Sequence, residues 1–274
     1  MRRLLKSFLQ TIIPDSYHDK LKRSFYTCLY STSSDSGLNC PFCGGTFRKF
    51  LPSGFHYPVL REKNVVSGGY RLNAQCPKCG SLDRERLVYQ YLLKKTDFFS
   101  RNVRLLHVAP EEHLEKCFRR HPNIDYLTAD LYAMNVMVKM DISDIHYDDN
   151  SFDVIICNHV LEHVLDDRKA MAELFRVLKP DGWAILQVPI SLLLDRTFED
   201  PTVTTSEERE RIFGQDDHVR IYAGDYSDRL EEVGFRVEQF RWTEDSAEFG
   251  GSGNRYGLIK DEILYIVFKK EQCT

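Results

Sequence analysis

No stretch of the 274-residue chain is apolar for anything near the ~20 residues that cross a bilayer, which argues against a helical membrane span. Positive charge is also short. The 37 Lys and Arg against 41 Asp and Glu leave a formal net charge of −4, so no global field draws the protein to nucleic acid or anionic lipid. Any RNA binding would need a local basic patch. The sequence shows no internal repeat and no low-complexity tract, so no repeat architecture is expected. The basic start Met1–Ile13 is interrupted by Lys6 and Gln10 and lacks a small-residue cleavage site. It does not read as a signal peptide, and the expected location is the cytoplasm. What remains is ordinary for a globular protein, with 42% hydrophobic and 28% charged residues. The length suits one large α/β domain plus a small accessory module.

Cysteine is present, and its spacing is informative. Of eight cysteines, Cys28, Cys117, Cys157 and Cys273 are scattered singly. The other four form two matched C-P-x-C-G units, Cys40–Gly44 and Cys76–Gly80. Each unit can turn tightly enough to aim two thiolates at one point, with the glycine relieving the backbone behind them. Two such knuckles make the tetrahedral sulfur cage that structural zinc prefers, so Cys40, Cys43, Cys76 and Cys79 are the expected metal ligands. Free thiols or a thioredoxin-like redox pair are the competing readings. A closed four-thiolate site has no vacancy for substrate, so the zinc would be structural.

Three zones follow. Residues 1–38 mix basic and apolar positions and end in a linker-like Ser31–Gly37. Residues 39–80 are the expected zinc ribbon. From 81 to 274 a larger domain is expected, opened by a helix over 81–95 with Ser81 as N-cap and Leu87, Tyr91 and Leu92 on one face. Apolar runs then alternate with helical patterns, which predicts a Rossmann-like doubly wound α/β fold around a mostly parallel sheet. Strands are expected at 103–108, 124–129, 136–140, 152–157, 183–189, 235–242 and 263–269, with helices at 166–178 and 226–233. Lys179–Gly182 breaks the first of those helices. An insertion at 190–223 is too polar for a core element and reads as a lid.

The stretch N-S-F-D-V-I-I-C-N-H-V-L-E-H (Asn150–His163), followed by L-F-R-V-L-K-P-D-G-W-A-I-L (Leu174–Leu186), is specific. It closely resembles the class I S-adenosylmethionine (AdoMet)-dependent methyltransferases, type 11 branch. The resemblance covers roughly 103–270. It implies a seven-stranded sheet whose last strand is antiparallel, an AdoMet-dependent methyltransferase activity, and AdoMet at the carboxyl ends of the first strands. The topological-switch rule for open α/β sheets places a ligand there too. One feature departs from the family, whose first motif is an acidic residue followed by G-x-G-x-G. In that register this chain has His107, Ala109, Glu111 and His113. Either Pro110 and Glu111 merely start a helix, or Ala109 keeps the turn tight while Glu111 offers a carboxylate to the AdoMet ammonium. A dead pseudo-enzyme is a further reading, weakened by cofactor positions that look intact elsewhere.

In the family's terms Asp130, with Leu131 after it, ends strand two and would accept from the ribose hydroxyls. Asp141 and Ile142 resemble the acid and apolar pair that holds adenine. Asn158 and His159 follow strand four and would face the methionine end. Histidine suits a proton-accepting role because its ordinary pKa is about 6.5. His159 and His218 are therefore the catalytic candidates, whereas Glu162 and His163 read as scaffold. Arg220, in the same D-H-V-R segment as His218, could grip a carboxylate or phosphate through its fork of donors. The leading acceptor is an oxygen or nitrogen of a small metabolite or glycan intermediate. The alternative enzyme reading is rRNA or tRNA methylation. It would use a basic face of Arg48, Lys49, Arg61, Lys63, Arg71, Lys78, Arg84 and Arg86, interleaved with Phe47, Phe50, Phe55, Tyr57 and Tyr70. A non-catalytic scaffold that uses the same fold to recruit a partner is the third.

Overall fold

A computed structural model describes residues 15–34 and 36–269; the Met1–Ile13 stretch and Cys273 lie outside the described residues. The N-terminal part opens with helix α1 (Asp15–Tyr30). Two short antiparallel pairs follow, β1 (Leu38–Asn39) with β2 (Thr46–Phe47), and β3 (Leu51–Ser53) with β5 (Arg71–Gln75). Between β3 and β5 the chain leaves the ribbon to form helix α2 (Pro58–Glu62) and strand β4 (Val65–Val66). The core of this part is small: Phe47, Phe50, Cys40 and Cys76.

Helix α3 (Asp83–Lys95) joins the ribbon to the sheet. It starts two residues later than expected, with Leu82 as N-cap. Glu85 reaches back to accept from the Leu82 amide at 2.7 Å. Ser81 instead places its hydroxyl 3.2 Å from the Cys40 sulfur and 3.4 Å from that of Cys79. The knuckle competes for that hydroxyl and wins it. Leu87, Tyr91 and Leu92 are buried as their spacing required.

The large sheet comprises β6 (Val103–Val108), β7 (Ile124–Asp130), β8 (Val138–Lys139), β9 (Phe152–Asn158), β10 (Leu178–Gln187), β14 (Phe235–Phe240) and β15 (Leu264–Lys269). Its order is β14-β15-β10-β9-β6-β7-β8. The β6, β7, β8, β9 and β10 pairings are parallel, and β15 runs antiparallel to both of its neighbours. Side chains alternate between two cores. Leu106, Val108, Ile155 and Cys157 pack on one face, while Leu105, Val154 and Ile156 pack on the other. Helix α4 (Glu112–Phe118) covers the second face together with α3, and α5 (Asp167–Val177) covers the first. Burial on both faces explains why the strands read as continuous apolar runs. The break at 179–182 is present as an irregularity inside β10, where the register jumps from Leu178 to Trp183.

The insertion differs from expectation. It contains β11 (Ile190–Ser191), β12 (Phe198–Glu199), α6 (Ser206–Phe213) and β13 (Arg220–Ile221), and α7 (Tyr226–Glu232) follows it. Although polar on average, it buries Val203, Phe213 and Ile221 against Leu60 and Val65 from the excursion between β3 and β5. The β11 strand pairs antiparallel with β4. Two segments more than a hundred residues apart thus share one small core and form a cap. A polar sequence can hold a core when a distant segment supplies half of it.

Candidate active site

Strand order reverses at β6, whose neighbours are β7 on one side and β9 on the other. The topological-switch rule places a ligand crevice where β6 and β9 end. At the tip of β6, Ala109 adopts φ +46°, a left-handed backbone that an L-residue takes only at a cost. Its amide donates to the Ala129 carbonyl at 2.8 Å, which holds the turn. At the tip of β9, His159 is also left-handed, at φ +55°, and its amide donates to the Gln187 carbonyl. Two strained residues flanking one crevice are what a functional site retains.

His107 is fully buried, with Nδ1 2.9 Å from the Tyr126 hydroxyl and Nε2 2.8 Å from Glu111 Oε2. The other oxygen of Glu111 accepts from Asn158 Nδ2 at 3.1 Å. Glu111 is the N-cap of α4, following Pro110, yet its side chain makes no capping bond. The carboxylate is turned into the crevice instead. Burial raises its pKa, but the hydrogen bond and charge of His107, with the charge of Arg84, outweigh that and hold it below the usual range. Asn158 Oδ1 is buried with no hydrogen-bond partner among the described residues.

Arg84 was counted with the ribbon's basic surface. It sits instead in the first turn of α3, close enough for its charge to act on both Glu111 and His159, and its Nε is buried with no hydrogen-bond partner among the described residues. Asp83 beside it pairs with Arg71 at 2.8 Å. Arg86 is fully buried, donates to the carbonyls of Ala74, Ser81, Tyr256 and Gly257, and stacks on Phe50. Phe47 and Phe50 belong to the ribbon core. The expected basic, aromatic face therefore loses Arg71, Arg84, Arg86, Phe47 and Phe50, because a module this small needs its large side chains inside.

The adenosine-side candidates stand further out. Asp130 Oδ1 accepts from the amides of Tyr132 and Ala133 at 2.6 and 2.7 Å, and Leu131 is exposed. Asp141 Oδ1 accepts from the amide and hydroxyl of Ser143, which hold its carboxyl below the usual range. Ile142 is buried in the core beside Met140 and Ile145. At the other end, His159 Nδ1 lies 3.4 Å from Glu162 Oε1 and Nε2 lies 3.5 Å from the Ser67 hydroxyl. Burial and the Arg84 charge depress the His159 pKa against the pull of Glu162. His218 is buried in the cap and does not reach this contact set; its ring packs edge-to-face on His163 at 4.7 Å. Arg220 does not present a free fork. It donates to Glu199 and to the carbonyls of Leu161, Val164 and Leu165, clamping the cap to the segment after β9.

The four thiols converge as their spacing required. The Cys40–Cys79 and Cys43–Cys76 sulfur separations are 3.5 and 3.7 Å, and all four lie within 4.8 Å of one another. A zinc–sulfur length of about 2.3 Å gives a tetrahedral edge of roughly 3.8 Å, so the cage fits the ion. In both knuckles the glycine amide donates to the first cysteine's carbonyl at 2.9 Å, with Gly44 and Gly80 at φ +66° and +88°. Only glycine takes that backbone at no steric cost. The cage also touches the large domain, since His113 bridges the Cys79 carbonyl and Glu85.

Residues 98–186 match the type 11 methyltransferase family, described as a methyltransferase domain. In this match and in its strand order, the large domain is similar to class I AdoMet-dependent methyltransferases. Among characterised relatives, a ubiquinone/menaquinone biosynthesis C-methyltransferase from Idiomarina loihiensis is 35% identical over 65 residues, 23% of this chain and 26% of that protein. A demethylmenaquinone methyltransferase from Clavibacter sepedonicus is 41% identical over 49 residues, 18% of this chain and 20% of that protein. The matches thus span about a quarter or less of those relatives. Among solved structures, a (4+2)-cyclase aligns over 70% of this chain and 84% of its own, at 16% identity and a TM-score of 0.45. The fold assignment rests on strand order and register, not on that likeness.

Proposed function

We propose that the protein is an AdoMet-dependent methyltransferase acting on an oxygen or nitrogen of a small metabolite or glycan intermediate, with a structural zinc in its ribbon. The observation that carries this is the cluster of oppositely charged and polar groups, Glu111, Asn158 and Arg84, beside the ends of β6 and β9. Glu111 is held charged, Asn158 Oδ1 is buried and open to a donor, and Arg84 Nε is buried and open to an acceptor. Together they complement the ammonium and carboxylate of an amino-acid end, which AdoMet carries. Bound AdoMet supplies a methyl on a positively charged sulfur, so the hard chemistry belongs to the cofactor. The chain's own tasks are to bind, to orient, and to take a proton from the acceptor where it carries one.

Glu111 and Asn158 receive the ammonium and Arg84 the carboxylate. Asp130 with Leu131 takes the ribose, and Asp141 with Ile142 the adenine. His107 orients Glu111, and Ala109 and Pro110 shape the turn. His159, at the strained tip of β9, is the proton acceptor. The burial of Arg71 and Arg86 weighs against an RNA acceptor, whose phosphates need exposed cations. Calorimetry of AdoMet binding tests the reading. Glu111→Gln keeps the shape and removes the charge, so affinity should fall by about 1–3 kcal/mol in a protein that still folds, with some loss of melting temperature from the weakened His107 contact. A wild type that binds no AdoMet overturns the proposal and leaves the scaffold.

A further inference from the structure

We propose that Glu162, His163 and His218 form a second metal site, for a divalent transition cation, at the seam between sheet and cap. One donor atom from each lies within 4.8 Å of the others. Glu162 is 1% exposed and His218 2%. Glu162 Oε2 and His218 Nε2 are both buried with no hydrogen-bond partner among the described residues. A native fold rarely leaves two such atoms buried within one cluster of side chains, because each costs its full desolvation. The remaining oxygen of Glu162 faces His159 Nδ1 at 3.4 Å. On His163, Nδ1 lies 3.1 Å from Asp217 Oδ2. A carboxylate behind an imidazole is how metal sites fix a ligating ring and leave its other nitrogen for the ion.

The L-E-H turn supplies two donors, and the cap brings the third. The Val219 amide donates to the Glu162 carbonyl at 2.9 Å, which seats His218 over the turn. Two imidazoles and one carboxylate suit zinc, iron, manganese or cobalt, and three protein ligands leave coordination positions open. His159 connects the site to the crevice. The open positions therefore take an oxygen of a hydroxyl-bearing acceptor, a role that rests on the methyl-transfer reading; cation binding itself does not.

Full-length protein dialysed against a weak chelator, with one zinc per chain retained in the thiolate cage by metal analysis, is titrated with Mn2+, with free ion read from its electron paramagnetic resonance signal. Mn2+ favours oxygen and nitrogen donors over the thiolate cage. One Mn2+ per chain is expected, weakened at least tenfold by Glu162→Gln and by His163→Asn, whose side chain is part-exposed. A Co2+ titration of the wild type needs no variant and should show ligand-field bands without added sulfur charge transfer. A wild type that leaves Mn2+ free and adds no Co2+ outside the thiolate cage overturns the site. AdoMet calorimetry on the same sample separates the two readings. AdoMet bound with no cation sinks the metal site alone. Cation bound with no AdoMet supports the metal site and sinks the methyltransferase.

Discussion

At Glu262 a single carboxyl sits fully buried beneath the cap, where the Gln187 amide donates to it. Burial, and then the Asp83 charge, push its pKa from the ordinary 4.5 up to about 7, against the pull of Ser67, Gln187 and Arg71. Because the folded value is raised, the folded state favours the protonated form. This group's contribution is fully present below about pH 4.5 and is lost as pH rises through about 7. The full loss is on the order of 3 kcal/mol. Urea unfolding of wild type and Glu262→Gln at pH 5 and pH 8 measures it. The variant should gain on the wild type as pH rises; parallel stabilities at both values would remove Glu262 from the account. Nothing in the sequence around Glu262 marks it, since its environment is built by Ser67, Asp83 and Gln187 from three distant segments.

Helix α3 serves three neighbours because residues two apart point to different sides of a helix. Arg84 faces the crevice, Arg86 the segment at 256–257, and Glu85 meets His113 from α4. The two arginines should therefore separate cleanly on substitution. Arg86→Met strands four carbonyls, three of them in buried contacts, and should cost at least about 3 kcal/mol in denaturant unfolding. Arg84→Met breaks no side-chain hydrogen bond among the described residues and should leave unfolding within about 0.5 kcal/mol while weakening AdoMet in calorimetry. Equal effects of both on stability would return Arg84 to a structural role. The sequence marks a helix here through Leu87, Tyr91 and Leu92. It does not tell which arginine is locked inside, because both lie on polar positions and only the packing of ribbon and C-terminal segment distinguishes them.

Across the whole molecule the ribbon is coupled to the cap rather than appended to the sheet. The excursion between β3 and β5 carries both β4, paired with β11, and Leu60, buried against Phe213. Metal loss should therefore be felt outside the ribbon. If the cage holds zinc as proposed, metal analysis should find one zinc per wild-type chain and none in Cys40→Ser. It should speed hydrogen exchange in 39–80 and also in 190–223, with β6, β9 and β10 still protected. Faster exchange confined to the ribbon would show that the cap stands by itself. Among the described residues no helix is long and apolar enough to cross a membrane.

The sequence by itself determined whatever depends on local spacing. The C-P-x-C-G pairs dictate two knuckles, since their turns need only the glycine behind the second cysteine. The apolar runs at 103–108 and 152–157 dictate buried parallel strands, because burial on both faces leaves no polar alternation. The helix at 166–178 was legible from Ala170, Leu174 and Leu178, all fully buried in α5 and the start of β10. Only the tertiary structure decided the site's composition. It turned Glu111 inward from a helix start, drew Arg84 into the crevice from a stretch that looked like a basic surface, and set His218 over Glu162 and His163. Those placements depend on contacts between segments tens to hundreds of residues apart, whose burial free energy is not encoded in any one window of the chain.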